Sequence, residues 1–324
     1  MKILFMGTPE FAREQLSALW ENRETYGWEI VGAVSQPDKP KGRGYKMIPT
    51  PVKTYAQSVG IAVYQPESVK DEAFLALLAE LDPALIVVAA YGKMLPEAVL
   101  AYPKYGCINV HGSLLPAYRG AAPIQRAMMD GVRVTGNTIQ YMAKGMDTGD
   151  IISCDRVEIG ENEDFGSLYD RMGKSGAKLL LKTIPAIENG TACRTAQDDA
   201  CATIAPKIEK AECALDFSLP AEALHNRIRA LSPAPLAYTT LYHEGTPMRI
   251  KIAASVMGDT ADTNPSAVCG TVLFLDAKKN EIRVQCGNGS ILRMTAVVPE
   301  GKGRMHAGDF IRGRKIAPGD RFGD

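Results

Sequence analysis

Two polar residues, Asn109 and His111, stand two positions apart in an otherwise apolar stretch. Residues 107–111 alternate as a strand does, so both side chains should point to the same side. Gly112 and Ser113 then end the strand, which places the amide and the imidazole at its carboxyl end. An amide donates hydrogen bonds and an imidazole can transfer protons near neutral pH, so the pair could support catalysis. The alternative is that both side chains only cap the strand end.

The elements before this pair alternate between strand and helix patterns. Thr8 is expected to cap a helix that begins at Pro9 and ends near Trp20. This repeated β-α order predicts a doubly wound, mostly parallel sheet with helices on both sides, in which ligands bind beyond the carboxyl ends of the strands. Strands are predicted at 2–6, 28–35, 62–64 and 83–90, the last apolar throughout and therefore buried on both faces.

The pattern changes after residue 134. Two strand-like runs at 134–142 and 150–159 predict a hairpin, and a long amphipathic helix at 165–188 ends before Gly190. Residues 1–190 are therefore predicted to form one domain, followed by a polar linker at 191–207. In residues 208–324, a helix at 219–231 and five short strands predict a small barrel of the oligonucleotide-binding (OB) type. The alternative for that domain is a generic β cap.

Composition sets the outer limits on function. The 324 residues carry 37 basic and 37 acidic side chains, so any nucleic acid must be bound by local patches. Seven scattered cysteines and four histidines lack metal-ligand spacing, so we expect reduced thiols, no metal and a cytoplasmic protein. The longest apolar run, 84–90, is too short to span a bilayer.

A long polar segment at 36–50 carries three prolines and several cations, and it is predicted to be a loop without regular structure. Loops of this length inside a compact domain are usually functional or mobile. Its composition leaves two interpretations open, contact with phosphate groups or a solvated loop. The cations are Lys39, Lys41, Arg43 and Lys46.

The motif from Asn109 to Pro123, N-V-H-G-S-L-L-P-x-x-R-G-x-x-P, followed by G-M-D-T-G at 145–149, resembles the formyltetrahydrofolate-dependent formyltransferases. Within that superfamily, the whole chain is similar to the methionyl-tRNA formyltransferases. The tRNA branch is indicated above all by the loop around Gly42-Arg43-Gly44. The resemblance implies 10-formyltetrahydrofolate as formyl donor and initiator methionyl-tRNA as acceptor, and we expect a monomer with no membrane partner.

The resemblance also implies a catalytic set of Asn109, His111 and Asp147. Formyl transfer to an amine passes through a tetrahedral intermediate, which needs an oxyanion donor and a path for the amine proton. Asn109 could donate to the oxyanion, His111 could stabilise it or carry the proton, and Asp147 could hold the imidazole. For Asp147 the alternative is ordinary turn chemistry, because Asp-Thr-Gly forms a good turn by itself.

Further contacts are carried over from the resemblance. Leu114 and Leu115 could otherwise be simple core residues. The residues expected at the folate are Ser113, Leu114, Leu115, Pro116, Tyr91, Gly92 and Met146. The residues expected at the tRNA are Lys41, Arg43, Lys46 and Lys207, with Arg43 entering the acceptor stem.

Four other functions compete with this interpretation. A formyltransferase acting on an amino-sugar nucleotide shares the central motif, and a formyltetrahydrofolate hydrolase would use water in place of the amine. A folate- or RNA-binding module without turnover is disfavoured by the presence of all three catalytic residues. A nicotinamide oxidoreductase is disfavoured because the sequence lacks the G-x-G-x-x-G fingerprint.

Overall fold

The computed structural model describes residues 1–41, 46–257 and 266–323. The chain folds as two compact units, each built from three stretches of sequence. The first unit comprises Met1–Pro123, Val134–Glu158 and Tyr169–Pro206. The second unit comprises Ile124–Arg133, Ile159–Leu168 and Lys207–Asp324.

The first unit is built on strands that lie close to the predicted positions. The central strand Leu85–Ala89 is buried at every residue, as its continuous apolar sequence requires. The strands of this unit are β1 (Lys2–Gly7), β2 (Glu29–Val34), β3 (Lys39–Lys41), β4 (Lys46–Ile48), β5 (Val63–Tyr64), β6 (Leu85–Ala89), β7 (Cys107–His111), β8 (Val134–Tyr141) and β9 (Ile151–Glu158).

Seven of these strands form one sheet in the order β5-β2-β1-β6-β7-β8-β9. From β5 to β7 the neighbouring strands are parallel, whereas β8 is antiparallel to both β7 and β9. The predictions of a mostly parallel sheet and of a following hairpin are therefore confirmed. Strand β7 lies at the junction between the parallel part and the antiparallel hairpin.

The helices agree with the sequence patterns, with one correction at the first of them. That helix begins at Glu10 after Pro9 and runs to Tyr26, six residues beyond the predicted end. Thr8 was predicted to cap it, and this is wrong, because the Thr8 hydroxyl donates instead to the carbonyl of Tyr91 at 3.1 Å. The helices are α1 (Glu10–Tyr26), α2 (Pro51–Ser58), α3 (Glu72–Leu81), α4 (Glu97–Leu100), α5 (Pro123–Met129) and α6 (Phe165–Glu188).

The cationic segment at 36–50 contains a small hairpin where no regular structure was predicted. Strands β3 and β4 pair antiparallel, with Lys39 opposite Ile48 and Lys41 opposite Lys46. Residues 42–45, which include Arg43, lie outside the described part of the chain. The prediction missed these strands because three-residue segments rich in lysine and proline carry no alternating apolar pattern.

The second unit contains a seven-stranded antiparallel sheet, ordered β12-β13-β14-β11-β10-β16 with β15 paired to β14. A bridge between Thr271 and Arg321 joins the two ends of this order, so the sheet curls upon itself. Apolar side chains of α7, among them Leu224 and Ile228, are buried in its core. The elements are α7 (Ala221–Leu231), β10 (Ala237–His243), β11 (Thr246–Met257), β12 (Val272–Asp276), β13 (Glu281–Gln285), β14 (Ile291–Pro299), β15 (Met305–His306), α8 (Ala307–Arg312) and β16 (Arg321–Phe322).

Candidate active site

Strand β7 places Asn109 and His111 at the carboxyl end of the parallel sheet. Asn109 pairs with Val88 of β6 on one side and with Gln140 of β8 on the other. His111 pairs with Thr138, two residues away from Gln140 on β8. The two side chains therefore lie at the carboxyl end of a parallel strand, the edge of the sheet at which α/β folds bind their ligands.

Asp147 joins these two side chains from the turn between β8 and β9. Its backbone adopts the left-handed conformation, with φ of 54°, and aims the carboxylate at the end of β7. The Asp147 Oδ1 atom lies 3.4 Å from Asn109 Nδ2 and 3.5 Å from His111 Nδ1. The structure thus brings together the three residues that the sequence proposed as a catalytic set.

His111 has an oxygen acceptor beside each ring nitrogen. Its Nε2 atom is 2.9 Å from the carbonyl oxygen of Tyr118, and its Nδ1 atom faces Asp147. The residue is buried, with 6% of its surface exposed. The Tyr118 carbonyl is within hydrogen-bonding distance of Nε2, whereas the Asp147 carboxylate makes a longer contact with Nδ1. The ring therefore has an oxygen atom on each side that sets its orientation.

Two further donors hold the Asp147 carboxylate. The side-chain amide of Gln140 donates to Oδ1 at 2.9 Å, and the backbone N–H of Gly120 donates to Oδ2 at 2.9 Å. Neither residue was predicted from the sequence to have a role. The available signal was Gln140 itself, a polar residue inside a strand just before the Asp147 turn, which is 1% exposed in the structure.

The predicted folate residues at 113–116 form a tight loop after β7. Ser113 is fully buried and its hydroxyl donates to the carbonyl of Ala117 at 2.6 Å. The hydroxyl of Thr138 donates to the Ser113 carbonyl and accepts the N–H of Leu115, which ties the loop to β8. Leu115 is also buried, whereas Leu114 and Pro116 are partly exposed.

The other predicted folate residues differ in exposure. The ring of Tyr91 packs in the core of the first unit, and burial raises the pKa of its hydroxyl to about 12. The carbonyl of Tyr91 accepts from Thr8 and from the amide of Gln36. Gly92 has a φ of 85°, and Met146 is 55% exposed. Any contribution of Tyr91 to a ligand site would therefore come from its backbone.

The base of the cationic hairpin is anchored by a partly buried ion pair. The Nζ of Lys53 on α2 lies 2.6 Å from the carboxylate of Asp38, and Gln65 donates to the same carboxylate at 2.7 Å. The bonds from Lys53 and Gln65 lower the pKa of Asp38. Of the cations predicted at the tRNA, Lys41 and Lys46 lie in β3 and β4, and Lys207 is exposed in the second unit.

Within the described ranges, the protein has neither a cluster of metal ligands nor a membrane-spanning helix. No group of three or more His, Cys, Asp or Glu side chains there is arranged to hold a metal ion. No helix in the same ranges is long and apolar enough to cross a bilayer.

Comparison with protein families gives two matches that together span most of the chain. A model described as formyl transferase matches residues 1–184, and one described as formyl transferase, C-terminal domain, matches residues 207–315. A methionyl-tRNA formyltransferase of Bacillus velezensis is 44% identical over 100% of this chain and 98% of its own length. One of Bacillus subtilis is 43% identical over 99% of this chain and 98% of its own length.

Solved structures show a similar fold at much lower identity. HypX from Aquifex aeolicus in complex with tetrahydrofolic acid superposes with a TM-score of 0.62 at 15% identity, covering 96% of this chain. The chain spans about half the length of HypX, 47%. An N-formyltransferase from Helicobacter canadensis, in complex with folinic acid and dTDP-3-aminofucose, gives a TM-score of 0.61 at 18% identity, covering 91% of this chain and 98% of its own.

Proposed function

Because the chain belongs to the formyl transferase family, we propose that it transfers the formyl group of 10-formyltetrahydrofolate to the methionine α-amino group of initiator methionyl-tRNA. The observation that carries this proposal is the 44% identity to a methionyl-tRNA formyltransferase over 100% of the chain. The matched region therefore extends over the second unit and the cationic segment at 36–50 as well as the catalytic motif. The structure adds a site whose groups suit that chemistry.

The reaction requires two events at the formyl carbon. The methionine amine attacks this carbon and forms a tetrahedral oxyanion, after which the bond to N10 of the folate breaks. The amine loses a proton and N10 gains one, so atoms and charge balance. The site must therefore supply a hydrogen-bond donor for the oxyanion and a group that can carry a proton.

Asn109 and His111 are the groups proposed for these two tasks. The Asn109 amide carries two N–H donors, of which one is directed towards Asp147 at 3.4 Å and the other can serve the oxyanion. His111, held between Asp147 and the Tyr118 carbonyl, can stabilise the oxyanion or move the amine proton. Asp147 positions the imidazole and balances its charge.

The folate is proposed to lie against the loop after β7. Leu114 and Pro116 are partly exposed and offer apolar contact, while Ser113 and Leu115 are buried and set the shape of the loop. Gly92, with its positive φ, and the exposed Met146 lie on the neighbouring loops that we propose for the pterin. No residue in this set needs a metal to act.

The acceptor is proposed to be bound by cations of both units. Lys41, Arg43 and Lys46 of the cationic segment at 36–50 would contact the acceptor stem, and Lys207 would also contact the tRNA. We propose residues 1–190 as the catalytic domain, 191–207 as the linker, and 208–324 as an OB-like tRNA-binding barrel. The curled antiparallel sheet of the second unit supports that assignment. We also propose that the enzyme acts in the cytoplasm as a monomer.

The deciding experiment offers four acceptors in parallel with 10-formyltetrahydrofolate: initiator methionyl-tRNA, elongator methionyl-tRNA, an amino-sugar nucleotide, and water. We expect rapid formylation of the initiator tRNA alone. Preferred transfer to the sugar or to water would contradict the proposed acceptor while leaving the catalytic set in place.

A variant in the cationic segment at 36–50 distinguishes an effect on the tRNA acceptor from an effect on the folate donor. Arg43→Ala should lower kcat/KM for the initiator tRNA about tenfold, because one cationic contact to the nucleic acid is lost. The KM for the folate should not change. Lys70→Ala, at an exposed position beyond the hairpin, is the control. A raised KM for the folate in Arg43→Ala would contradict the assignment of the hairpin to tRNA.

A further inference from the structure

The segment that follows α6 returns to the loop beside the catalytic residues. Near its start, Thr195 pairs with Ile151 of β9 through two backbone hydrogen bonds. Near its end, the Thr203 carbonyl accepts the backbone N–H of Arg119 at 2.8 Å, and the Ala205 N–H donates to the Arg119 carbonyl at 2.7 Å. Residues between these two anchors are therefore held in place against the first unit.

Gln197 lies between the anchors and reaches into the network around Asp147. Its Oε1 accepts from Nε and Nη2 of Arg119 at 3.0 and 2.9 Å. Its Nε2 donates to Gln140 Oε1 at 3.2 Å, to the Asp147 carbonyl at 2.9 Å and to the Gly149 carbonyl at 2.7 Å. One side chain thus contacts Arg119 in the loop after β7, Gln140 in strand β8 and two carbonyls of the Asp147 turn.

The direction of every hydrogen bond in this chain of contacts follows from Arg119. A guanidinium group has donors only, so the oxygen of the Gln197 amide must face it. The NH₂ group of Gln197 must then face Gln140, whose oxygen accepts. The NH₂ group of Gln140 is consequently left to donate to Asp147 Oδ1.

We propose that Gln197 is a positioning residue for formyl transfer, which orients the Gln140 amide and the Asp147 turn so that the carboxylate meets Asn109 and His111. Gln197 itself contacts none of these three catalytic side chains. The proposal rests on the proposed function. It also gives a reason for the burial of Arg119, which is 7% exposed and is balanced by Asp199 at 2.8 Å.

The expected effect is on the rate rather than on binding. A displacement of about 1 Å at a catalytic group can lower a rate by about 10²-fold. Gln197→Ala should therefore lower kcat by about 10- to 100-fold, with the KM values for folate and tRNA nearly unchanged. Ala196→Ser, at the exposed neighbouring position, is the matched control and should behave as the wild type.

Gln197→Glu tests the direction of the hydrogen bonds without changing the volume of the side chain. The new carboxylate can still accept from Arg119, but its second oxygen faces the Gln140 oxygen and the carbonyls of Asp147 and Gly149, and would turn the Gln140 amide away from Asp147. We expect a loss of kcat at least as large as in Gln197→Ala, in a protein that circular dichroism shows to be folded. A wild-type kcat in Gln197→Glu would overturn the proposal.

A double-mutant cycle with Gln140→Ala tests whether Gln197 acts through Gln140. If it does, adding Gln197→Ala to Gln140→Ala should cost less than about threefold further, because coupled residues are not additive. Two losses that multiply would overturn the proposal.

Selective ¹⁵N-glutamine labelling gives a readout that does not need the acceptor. The Gln140 side-chain signal, assigned with Gln140→Ala, should shift in Gln197→Glu and stay in place in Ala196→Ser. An unshifted Gln140 signal would overturn the proposal. If the wild type transferred formyl to no acceptor offered, the proposed function would fail. The labelling experiment would still decide whether Gln197 orients the Gln140 amide.

Discussion

Asp147 in the first unit and Glu281 in the second are both shielded carboxylates with several hydrogen-bond donors. Their side chains are 14% and 6% exposed. The donors to Asp147 are uncharged, the Gln140 amide and the Gly120 N–H, together with the more distant Asn109. Glu281 instead contacts two guanidinium groups. The two sites therefore differ in what balances the negative charge.

The guanidinium groups at Glu281 are those of Arg283 and Arg293. Burial by itself would raise the pKa of Glu281, but the bonds from these arginines outweigh it and lower the pKa. At Asp147 the uncharged donors fix the position of the carboxylate beside His111. A buried carboxylate held by arginines serves stability, whereas one held by amides beside a histidine can serve catalysis.

The largest expected effect is a loss of kcat on substitution of Asp147, which we do not expect for Glu281. Asp147→Asn removes the charge that faces His111, so kcat should fall by about 10²–10⁴-fold, the usual contribution of acid–base groups. The thermal unfolding midpoint should change little. Steady-state kinetics and a thermal melt measure both quantities. A kcat within a factor of a few of the wild type would remove Asp147 from the catalytic set.

The next largest effect is expected for Asn109, whose side-chain amide contacts the Asp147 carboxylate. Asn109→Ala removes the proposed oxyanion donor, and loss of one such donor typically costs about 10²–10³ in rate. Single-turnover formyl transfer at saturating folate measures this loss directly, while circular dichroism checks the fold. Near-normal turnover would show that the oxyanion is stabilised elsewhere.

The reverse pattern is expected for the structural carboxylate. Glu281→Gln leaves Arg293 and Arg283 without their charged acceptor, which should lower the free energy of unfolding by about 1–3 kcal/mol. The kcat should stay at the wild-type value. Urea unfolding measures the stability, with Glu300→Gln at an exposed position as control. A large fall in kcat in a folded Glu281→Gln protein would break the distinction between the two carboxylates.

The smallest effect on stability is expected for Glu212, a partly exposed carboxylate that is paired with Arg126. Bonds from Arg126 and from the Glu209 backbone lower the pKa of Glu212 from 4.5 to about 2. Because the folded-state pKa is depressed, this stabilisation is present above about pH 4.5 and is lost as the pH falls towards about 2.

The matched variant is Glu212→Gln, compared with the wild type by urea unfolding at about pH 6 and about pH 3. The stability difference between the two proteins should be smaller at the lower pH. It should also be modest throughout, since the Glu212 side chain is 37% exposed and solvent screens the pair. A difference independent of pH would show that the Arg126 contact does not stabilise the fold.

Local patterns in the sequence were sufficient to predict the strand that carries Asn109 and His111 and the long helix of the same domain. The alternation of polar and apolar residues at 107–111 and the amphipathic period at 165–188 predicted a strand and a helix, and both elements appear at those positions. The pairing of β3 with β4 was missed because Lys39, Pro40, Met47 and Ile48 are exposed and form no buried apolar face. Thr8 was misassigned because the carbonyl of Tyr91, which is distant in sequence, competes for its hydroxyl.

The hydrogen bonds around Asp147 show why some residues of a site cannot be predicted from the sequence. Gln197 lies in a polar segment without periodicity, and its partners Arg119 and Gln140 are 78 and 57 residues away. Nothing in the neighbouring residues marks such a glutamine as more than a solvated side chain. A motif records residues that are close in sequence, whereas these contacts exist only after the sheet and the returning segment have packed.

The return of the segment after α6 has a consequence for protein synthesis. A chain leaving the ribosome exposes Asn109, His111 and Asp147 well before Gln197 and Ala205 have been made. Because Ala205 pairs with Arg119 across more than eighty positions of the sequence, the loop after β7 can adopt its final form only after this later stretch has emerged. A fragment that ends shortly after α6 should therefore contain every strand of the sheet and all three catalytic residues but an unfinished catalytic centre.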